Sequence, residues 1–323
     1  MIVRWGLDAL GEACGEAGVS SPLFVASPRW DSLEVSGETG ARWREVPSER
    51  IADAAAAAAG SDGVLAVGGG SAIDLGKAIS AAAELPLVSV PTTYSGSEWT
   101  AYFGVRDPQR RMQGGSGGAH PTAIVYEPRL TLELPPETTV GTAMNALAHC
   151  AEALYARGHN GAADEQALAG ARLISEWLPR VVSEPGDLEA RTELLRGACH
   201  GGAALAGSML ALAHAMAQAV GGRYGLPHGT LNGICLPPVL RFNEAYAQAA
   251  IGRFGEAIGT PEDPSRQVET LATLAGPTRL RELGVPEEDL AGLAVEAARR
   301  GGNLANPKAA TPQEIEGLLR EVF

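Results

Sequence analysis

The first 136 residues alternate short apolar runs with segments that have helical spacing. Apolar runs of strand length lie at residues 22–27, 63–67, 87–90 and 122–126. Helical periodicity predicts helices over residues 7–17, 51–59 and 72–85. Buried strands that alternate with helices are typical of a parallel sheet covered by helices on both faces. We therefore predict an α/β domain over residues 1–136.

The pattern changes after this region, and the rest of the chain has almost entirely helical spacing. Residues 106–121 are polar and Gly-rich and predict a loop or hairpin, in which Arg110 and Arg111 are either solvated or reach a substrate carboxylate. Helices are predicted over residues 139–157, 162–183, 187–207, 208–221, 239–258, 265–274, 277–283, 287–300 and 312–322. We place the domain boundary near residue 136, so that residues 137–323 form an all-α domain.

Composition and net charge exclude some classes of function for this protein. The chain has 323 residues, of which 45% are hydrophobic, and a net charge of −13. Such a charge repels phosphate backbones and anionic lipid, so we expect neither nucleic-acid nor membrane binding. No apolar run reaches membrane-spanning length, and no signal peptide is predicted. The four cysteines are scattered, which favours reduced thiols in a cytoplasmic protein.

A Gly-rich turn joins the strand at 63–67 to the following helix. Gly68, Gly69, Gly70 and Ser71 form this turn, and Asp74 lies one helical turn further on. Glycines allow a ligand to approach the backbone closely, and a helix N-terminus offers unpaired N–H groups to a phosphate. The turn lacks the GxGxxG spacing of the common dinucleotide fold, and by itself it could equally be a tight turn.

The next strand ends in a second polar segment, residues 91–98. Thr92, Thr93 and Ser97 place hydroxyl groups at the carboxyl end of a strand, where open α/β sheets bind ligands. A capped turn would explain this segment if it stood alone. Two such segments on successive strands together predict a cofactor site.

Three histidines and one asparagine are the candidate catalytic residues. Asn145 and His149 are four residues apart in an Ala-rich run, so on a helix they share one face. His214 follows, and His228 lies fourteen residues later in a Leu-Pro-His-Gly turn that we expect to expose its side chain. Each histidine alone could be a structural core residue. An Asp at position 145 with three histidines would form a divalent-metal site, but the carboxylate is missing here.

Taken together, these motifs resemble those of the group III, or iron-containing, alcohol dehydrogenase superfamily, and within it those of the maleylacetate reductases. The resemblance rests on Gly-Gly-Gly-Ser-Ala-Ile-Asp at 68–74, Pro-Thr-Thr-Tyr-Ser-Gly-Ser-Glu at 91–98, Met-Asn-Ala-Leu-Ala-His at 144–149, Gly-Leu-Pro-His-Gly at 225–229 and Leu-Pro-Pro-Val-Leu-Arg-Phe-Asn at 236–243. Asn145 and Ser27-Pro28 match the reductases rather than the metal-dependent members. Ala213 and Gln218 depart from the reductase pattern, in which both positions are typically histidine.

The resemblance implies a dehydroquinate synthase-like fold, with a nucleotide-binding domain, an all-helical domain and an active site in the cleft between them. It implies NADH or NADPH as cofactor, with the pyrophosphate on Gly68–Ser71 and Asp74 nearby. Thr92, Thr93 and Ser97 would approach the nicotinamide half. It also implies a homodimer and a small dicarboxylate or carbonyl substrate.

The expected reaction is reduction of the carbon–carbon double bond of a 4-oxo-2-enedioate, maleylacetate to 3-oxoadipate, without a metal. His149, His214, His228 and Asn145 would be catalytic, with imidazoles donating hydrogen bonds to an enolate oxygen or a carboxylate. A protonated histidine there would also attract a dianion. Two alternatives remain open at this stage. One is a metal-dependent alcohol dehydrogenase or aldehyde reductase with Fe²⁺ or Zn²⁺ on those four residues. The other is a nucleotide-binding pathway protein without hydride transfer.

Overall fold

The computed structural model describes residues 1–33, 40–107 and 112–323, which form two compact units. The first unit comprises Met1–Thr93 and Ser97–Glu133, and the second comprises Tyr94–Gly96 and Leu134–Phe323. The assignment of cofactor binding to residues 1–136 and catalysis to residues 137–323 stays a prediction. Arg110 and Arg111 lie outside the described residues.

The first unit contains a parallel sheet, which confirms the predicted fold class. Its described strands have the order β1-β8-β5-β4-β2-β3, and every neighbouring pair is parallel. A separate antiparallel hairpin, β6–β7, occupies part of the region predicted as a loop or hairpin. The strands are β1 (Ile2–Trp5), β2 (Leu23–Val25), β3 (Arg42–Trp43), β4 (Val64–Gly68), β5 (Leu87–Pro91), β6 (Tyr102–Arg106), β7 (Met112–Gly117) and β8 (Ala123–Tyr126).

Helices cover both faces of this sheet because successive strand residues point to opposite sides. The helices are α1 (Leu10–Glu16), α2 (Ile51–Ala56) and α3 (Gly70–Ala83). Leu65 and Val67 of β4 pack in one cluster with residues of α1. Val64 and Ala66 pack in the other cluster with residues of α2 and α3. The sheet is therefore buried on both sides, as its continuous apolar runs predicted.

The second unit is helical, as predicted, although several boundaries differ. Its helices are α4 (Pro136–Tyr155), α5 (Gly161–Ser183), α6 (Leu188–Ala206), α7 (Leu212–Tyr224), α8 (His228–Ala257), α9 (Pro264–Ala272), α10 (Leu290–Ala298), α11 (Gly301–Ala305) and α12 (Pro312–Glu321). The predicted helix from residue 239 begins instead at His228, and Pro237 and Pro238 lie inside it. The predicted helix at 277–283 is only a short 3-10 turn, Leu280–Leu283.

Helix α4 carries the first two candidate site residues and is almost completely enclosed. Every residue from Ala143 to Tyr155 is buried. The start of α8 approaches α4 so closely that a Cβ at Gly229 would lie 2.2 Å from the carbonyl oxygen of Gly141. Only glycine is compatible with this approach, which places His228 beside α4. Across the described ranges, no helix combines the length and apolar character that a bilayer crossing requires.

Candidate active site

The Gly-rich turn of the first unit leads directly from β4 into α3. Gly68 has a φ of +148°, Gly69 is the N-cap, and Gly70 and Ser71 begin the helix. In the described part of the chain, no side chain caps this helix N-terminus. Its first N–H groups are therefore available to an anion, which the helix dipole also favours. The arrangement suits a phosphate group.

Packing explains why two of these positions are glycine. A Cβ at Gly69 would lie 2.9 Å from Cγ2 of Thr93, and a Cβ at Gly68 would lie 2.7 Å from Cβ of Ala72. The backbone N–H of Thr92 donates to the carbonyl oxygen of Gly68 at 2.9 Å. The two polar segments predicted from the sequence therefore meet in the structure. The hydroxyl oxygen of Thr93 is buried and has no hydrogen-bond partner within the described residues, which leaves it available to a ligand.

Asp74 and Ser97, both predicted to contact the cofactor, belong to a network around a buried lysine. Lys77 is fully buried, and its Nζ donates to Asp74 Oδ1 at 3.0 Å, to Ser97 Oγ at 2.8 Å and to the carbonyl oxygen of Tyr102 at 2.7 Å. Asp74 also accepts a hydrogen bond from the backbone N–H of Gly104. This network joins α3 to the β6–β7 hairpin. Any cofactor contact made by Asp74 or Ser97 would have to coexist with it.

In the second unit the three predicted histidines lie side by side, although they come from three helices. The rings of His149 and His214 stack with centroids 4.9 Å apart and planes 13° apart. The rings of His214 and His228 are 5.5 Å apart and tilted by 51°. His228 is half-buried as the first residue of α8, rather than exposed in a turn. We call these three residues the histidine cluster.

Asn145 is held in one orientation by its neighbours. Its Nδ2 donates to the carbonyl oxygen of Ser95 at 2.8 Å, and its Oδ1 accepts from Nδ2 of Asn232 at 2.6 Å. Because a carbonyl oxygen can only accept, the amide nitrogen of Asn145 must face Ser95. The same nitrogen lies 3.3 Å from Nε2 of His149. It therefore donates to that ring, and the proton of a neutral His149 sits on Nδ1.

His149 is a neutral ring at neutral pH. Burial, followed by the like charges of His214 and His228, holds the pKa of His149 well below its usual value. The positive charge expected from a protonated histidine therefore does not come from this residue. Its Nδ1 is buried without a hydrogen-bond partner in the described part of the chain, and it faces the backbone at Gly96.

Sequence reasoning missed Glu152, which is completely buried beside the histidine cluster. Its Oε2 accepts from Nδ1 of His214 at 2.6 Å and from the backbone N–H of Ala211 at 2.6 Å. Its Oε1 accepts from the backbone N–H of His214 at 3.2 Å. The sequence signal was an acidic residue three positions after His149 in the Ala-rich second half of α4. Asn232 is likewise a polar residue on a buried stretch of α8.

The cluster does not suit a divalent cation as it stands. Such a site needs lone pairs from several ligands directed at one point. The amide nitrogen of Asn145 donates to Ser95 and faces the Nε2 lone pair of His149, and its oxygen accepts from Asn232. Among the residues that the structure describes, no three His, Cys, Asp or Glu side chains form a group able to hold a metal.

Comparison with known proteins identifies the family. A family model described as iron-containing alcohol dehydrogenase matches residues 6–128, and the model of the C-terminal part of that family matches residues 139–323. A maleylacetate reductase of Burkholderia cepacia is 36% identical over 319 residues, which cover 95% of this chain and 90% of that protein. Maleylacetate reductase 1 of Cupriavidus pinatubonensis is 32% identical over 328 residues, covering 98% of this chain and 92% of that protein.

A solved structure agrees with these sequence matches. The crystal structure of a maleylacetate reductase from a Rhizobium species superposes with a TM-score of 0.87 at 30% identity, over 100% of this chain and 95% of that one. Both family models and the full-length relatives lead to the same assignment. The chain belongs to the iron-containing alcohol dehydrogenase family and is an oxidoreductase.

Proposed function

We propose that this enzyme reduces the carbon–carbon double bond of maleylacetate to give 3-oxoadipate, with NADH or NADPH as reductant and without a bound metal. Several relatives that match over most of the chain are maleylacetate reductases. The single observation that carries the metal-free part is the orientation of Asn145, whose amide donates to His149. A carboxylate ligand would stand at this position in a metal enzyme.

The Gly-rich turn supports the cofactor part of the proposal. Bound NAD(P)H supplies the hydride. Gly68, Gly69, Gly70 and Ser71 would hold its pyrophosphate with the uncapped N–H groups of α3. The hydroxyl groups of Thr92 and Thr93 would orient the cofactor from the end of β5. Thr93 supports this role because its buried hydroxyl oxygen has no protein partner in the described ranges.

The histidine cluster supports the chemical part. Hydride addition to the alkene carbon β to the ketone moves one electron pair onto the ketone oxygen, and this gives an enolate. A proton must then reach the α carbon to complete the reduction. Without a cation, N–H donors must stabilise the enolate oxygen, and preorganised donors in a buried site are effective at this. A neutral His149 keeps its N–H on Nδ1, and His214 and His228 lie beside it.

We also propose that the protein is a cytoplasmic homodimer. Strand β1 lies at the edge of the sheet, and its last residue, Trp5, is 38% exposed. A strand edge that no described strand covers, with a partly exposed aromatic residue, offers a surface for a second copy. The four cysteines all lie in the described ranges and form no disulfide there, which suits a reducing compartment. Analytical ultracentrifugation of the purified protein checks the oligomeric state.

The proposed activity is tested by following NADH and NADPH absorbance with maleylacetate as substrate. Parallel assays contain a chelator, Fe²⁺ or Zn²⁺, and elemental analysis measures the metal content of the enzyme. We expect turnover that neither the chelator nor the added metal changes. Turnover of simple alcohols or aldehydes that requires metal would instead establish the alcohol dehydrogenase alternative. NAD(P)H binding without any turnover would contradict both.

A further inference from the structure

We propose that Glu152 is a positioning residue that fixes the orientation and tautomer of His214, so that Nε2 is the atom of His214 that meets the substrate. This inference rests on the proposed function, because it assigns a role within the same site. The starting observation is a carboxylate with no exposed surface, buried next to an imidazole that is 1% exposed. A buried carboxylate needs hydrogen-bond donors or positive charge to offset its loss of hydration.

The start of α7 supplies most of what the carboxylate needs. Ala211 is the N-cap of α7, and its methyl side chain cannot accept a hydrogen bond from the helix N-terminus. Glu152, which belongs to α4, acts as the cap instead, because it accepts hydrogen bonds from the backbone N–H groups of Ala211 and His214. These donors and the helix dipole favour a negative charge at this point. The backbone therefore holds the carboxylate in place independently of the His214 ring.

A carboxylate held in this way dictates which nitrogen of His214 carries the proton. An ionised carboxylate is only an acceptor, so Nδ1 of His214 must be its N–H donor. Nε2 then points away from Glu152. It is buried and has no hydrogen-bond partner in the described part of the molecule. Rotating the ring by 180° about its Cβ–Cγ bond would break the 2.6 Å contact, which opposes any other orientation.

The neighbouring ring is fixed in the same tautomer by a different partner. Asn145 donates to Nε2 of His149, so both stacked rings carry the proton on Nδ1 when neutral. The protein, however, uses different nitrogens of the two rings. Within the described residues, the Nδ1–H of His149 has no hydrogen-bond partner, whereas at His214 it is Nε2 that has none. Glu152 and Asn145 thereby give two stacked histidines different roles towards a ligand.

Replacing Glu152 by Gln is the direct test, because the side chain keeps its size. Glu152 accepts from three N–H groups, the backbone N–H groups of Ala211 and His214 and the ring Nδ1–H of His214. A Gln has only one oxygen to accept from them, so its NH₂ group would face one of these donors. Either orientation of the amide meets a conflict, because its NH₂ group faces the backbone N–H of His214 or, after rotation, the backbone N–H of Ala211. In the rotated orientation it would donate to Nδ1 of His214 and move the ring proton to Nε2, so the variant no longer fixes one tautomer. We expect kcat to fall on the order of 10- to 100-fold, as for other residues that orient a functional histidine. The KM for NAD(P)H should stay unchanged.

The tautomer itself can be measured without any substrate. Long-range ¹H–¹⁵N correlation spectra of ¹⁵N-histidine-labelled protein distinguish Nδ1–H from Nε2–H rings, and a His214→Gln variant assigns the signal. We expect Nδ1–H at His214 in the unmodified protein and in Glu152→Asp, and Nε2–H or a mixture in Glu152→Gln. Glu152→Asp keeps the carboxylate, so its kcat should exceed that of Glu152→Gln.

A matched control uses a second buried carboxylate of the same unit. Asp164 in α5 is 6% exposed and pairs with Arg253 at 2.7 Å. Asp164→Asn also removes a buried negative charge, but it should leave kcat and the His214 tautomer unchanged. A folded Glu152→Gln variant with parental kcat would overturn the proposal, and so would an unchanged His214 tautomer. Failure of the proposed function would give a different result, because the unmodified protein would then not reduce maleylacetate. The tautomer spectra of the unmodified protein and Glu152→Gln would still test the role of Glu152.

Discussion

The side-chain amide of Asn145 donates to the carbonyl oxygen of Ser95 across 2.8 Å, and this bond fixes which end of the amide faces His149 in the histidine cluster. In Asn145→Asp, a carboxylate oxygen would face that carbonyl oxygen without a hydrogen between them. We expect the free energy of unfolding to fall by about 1–3 kcal/mol, as for a buried polar group that loses its partner. Added Zn²⁺ or Fe²⁺ should raise the melting temperature of Asn145→Asp, because a cation can sit between the new carboxylate and the imidazoles.

The control for this prediction is Asn145→Ala. It removes the same hydrogen bonds but adds no carboxylate, so metal should not raise its melting temperature. Thermal melts and elemental analysis of the unmodified protein and both variants give the comparison. Equal stabilisation of the unmodified protein by metal would show that Asn145 already serves as a ligand.

The histidine cluster should be needed for turnover rather than for cofactor binding. Each of His149→Ala, His214→Ala and His228→Ala should lower kcat on the order of 10²–10³. For His149 and His228 this is the range for one lost oxyanion donor, about 2–4 kcal/mol of transition-state stabilisation. For His214, whose Nε2 carries no proton in the neutral ring, it is the range for a lost acid–base group. Steady-state kinetics, NAD(P)H titrations and thermal melts on the three variants check this. His159→Ala is the control, since this mostly exposed ring lies outside the cluster and pairs with Asp164. Parental rates in the three cluster variants would remove the histidines from the mechanism.

The fold was predictable where a single element carries its own signal. Residues Val64–Gly68 and Leu87–Pro91 are almost entirely apolar because both faces of the sheet are covered. Strand β1 was missed because Ile2–Trp5 includes a charged residue and is only half-buried at the sheet edge. The start of α8 was missed because Pro237 and Pro238 normally end a helix.

The site was predictable only in part, because its hydrogen bonds join residues that are distant in sequence. The histidines and Asn145 were found through motifs shared with a known family. Their partners had no local signal, since Ser95 and Asn232 lie 50 and 87 residues from Asn145. Glu152 lies 62 residues from His214, and its position in an apolar helix became meaningful only when α7 was placed beside it. A charged residue within a buried helix face is the general clue, and Lys77 is a second example.

Gly69 should tolerate a methyl group only when Thr93 makes room for it. In Gly69→Ala the new Cβ would lie 2.9 Å from Cγ2 of Thr93, and overpacking of this kind typically costs about 1–3 kcal/mol. We expect weaker NAD(P)H binding in fluorescence titrations, because the backbone of the turn must shift. The double variant Gly69→Ala with Thr93→Ser removes Cγ2 but keeps the hydroxyl group, and it should recover affinity. Equal affinity in all variants would argue against a cofactor at this turn.

The Lys77 network should stabilise the β6–β7 hairpin. Lys77→Met keeps the length of the side chain but leaves the acceptors on Asp74, Ser97 and Tyr102 without their shared donor. Unfolding free energy should fall by about 1–3 kcal/mol, the cost of leaving buried polar groups unpaired. Hydrogen exchange should accelerate at Gly104, whose N–H donates to Asp74. Arg50→Met is the control, because it removes an exposed cation whose ion pairs with Glu45 and Asp53 lie at the surface. Unchanged exchange at Gly104 in a stable Lys77→Met variant would contradict this role.

Glu98 should make the stability of the protein depend on pH. Its side chain is 1% exposed and accepts a hydrogen bond from the hydroxyl group of Tyr126 at 2.7 Å. Burial raises the pKa of Glu98 above its ordinary value of 4.5, with a smaller contribution from Asp74, whereas the Tyr126 hydrogen bond and Lys77 act to lower it. A raised folded-state pKa means that the folded protein keeps a proton that the unfolded chain releases. The contribution of Glu98 to stability is therefore fully present below pH 4.5 and is lost as the pH rises through the folded-state pKa.

The variant Glu98→Gln separates this effect from the rest of the chain. Its amide oxygen can still accept from Tyr126, but it carries no ionisable proton. We expect Glu98→Gln to gain stability relative to the unmodified protein as the pH rises from 5 to 8, by about 1.4 kcal/mol for each unit of raised pKa. Chemical denaturation at several pH values measures the difference. Glu133→Gln, which changes an 84% exposed carboxyl, is the control and should show no such trend. A stability difference that stays constant between pH 5 and 8 would show that Glu98 does not hold its proton in the folded state.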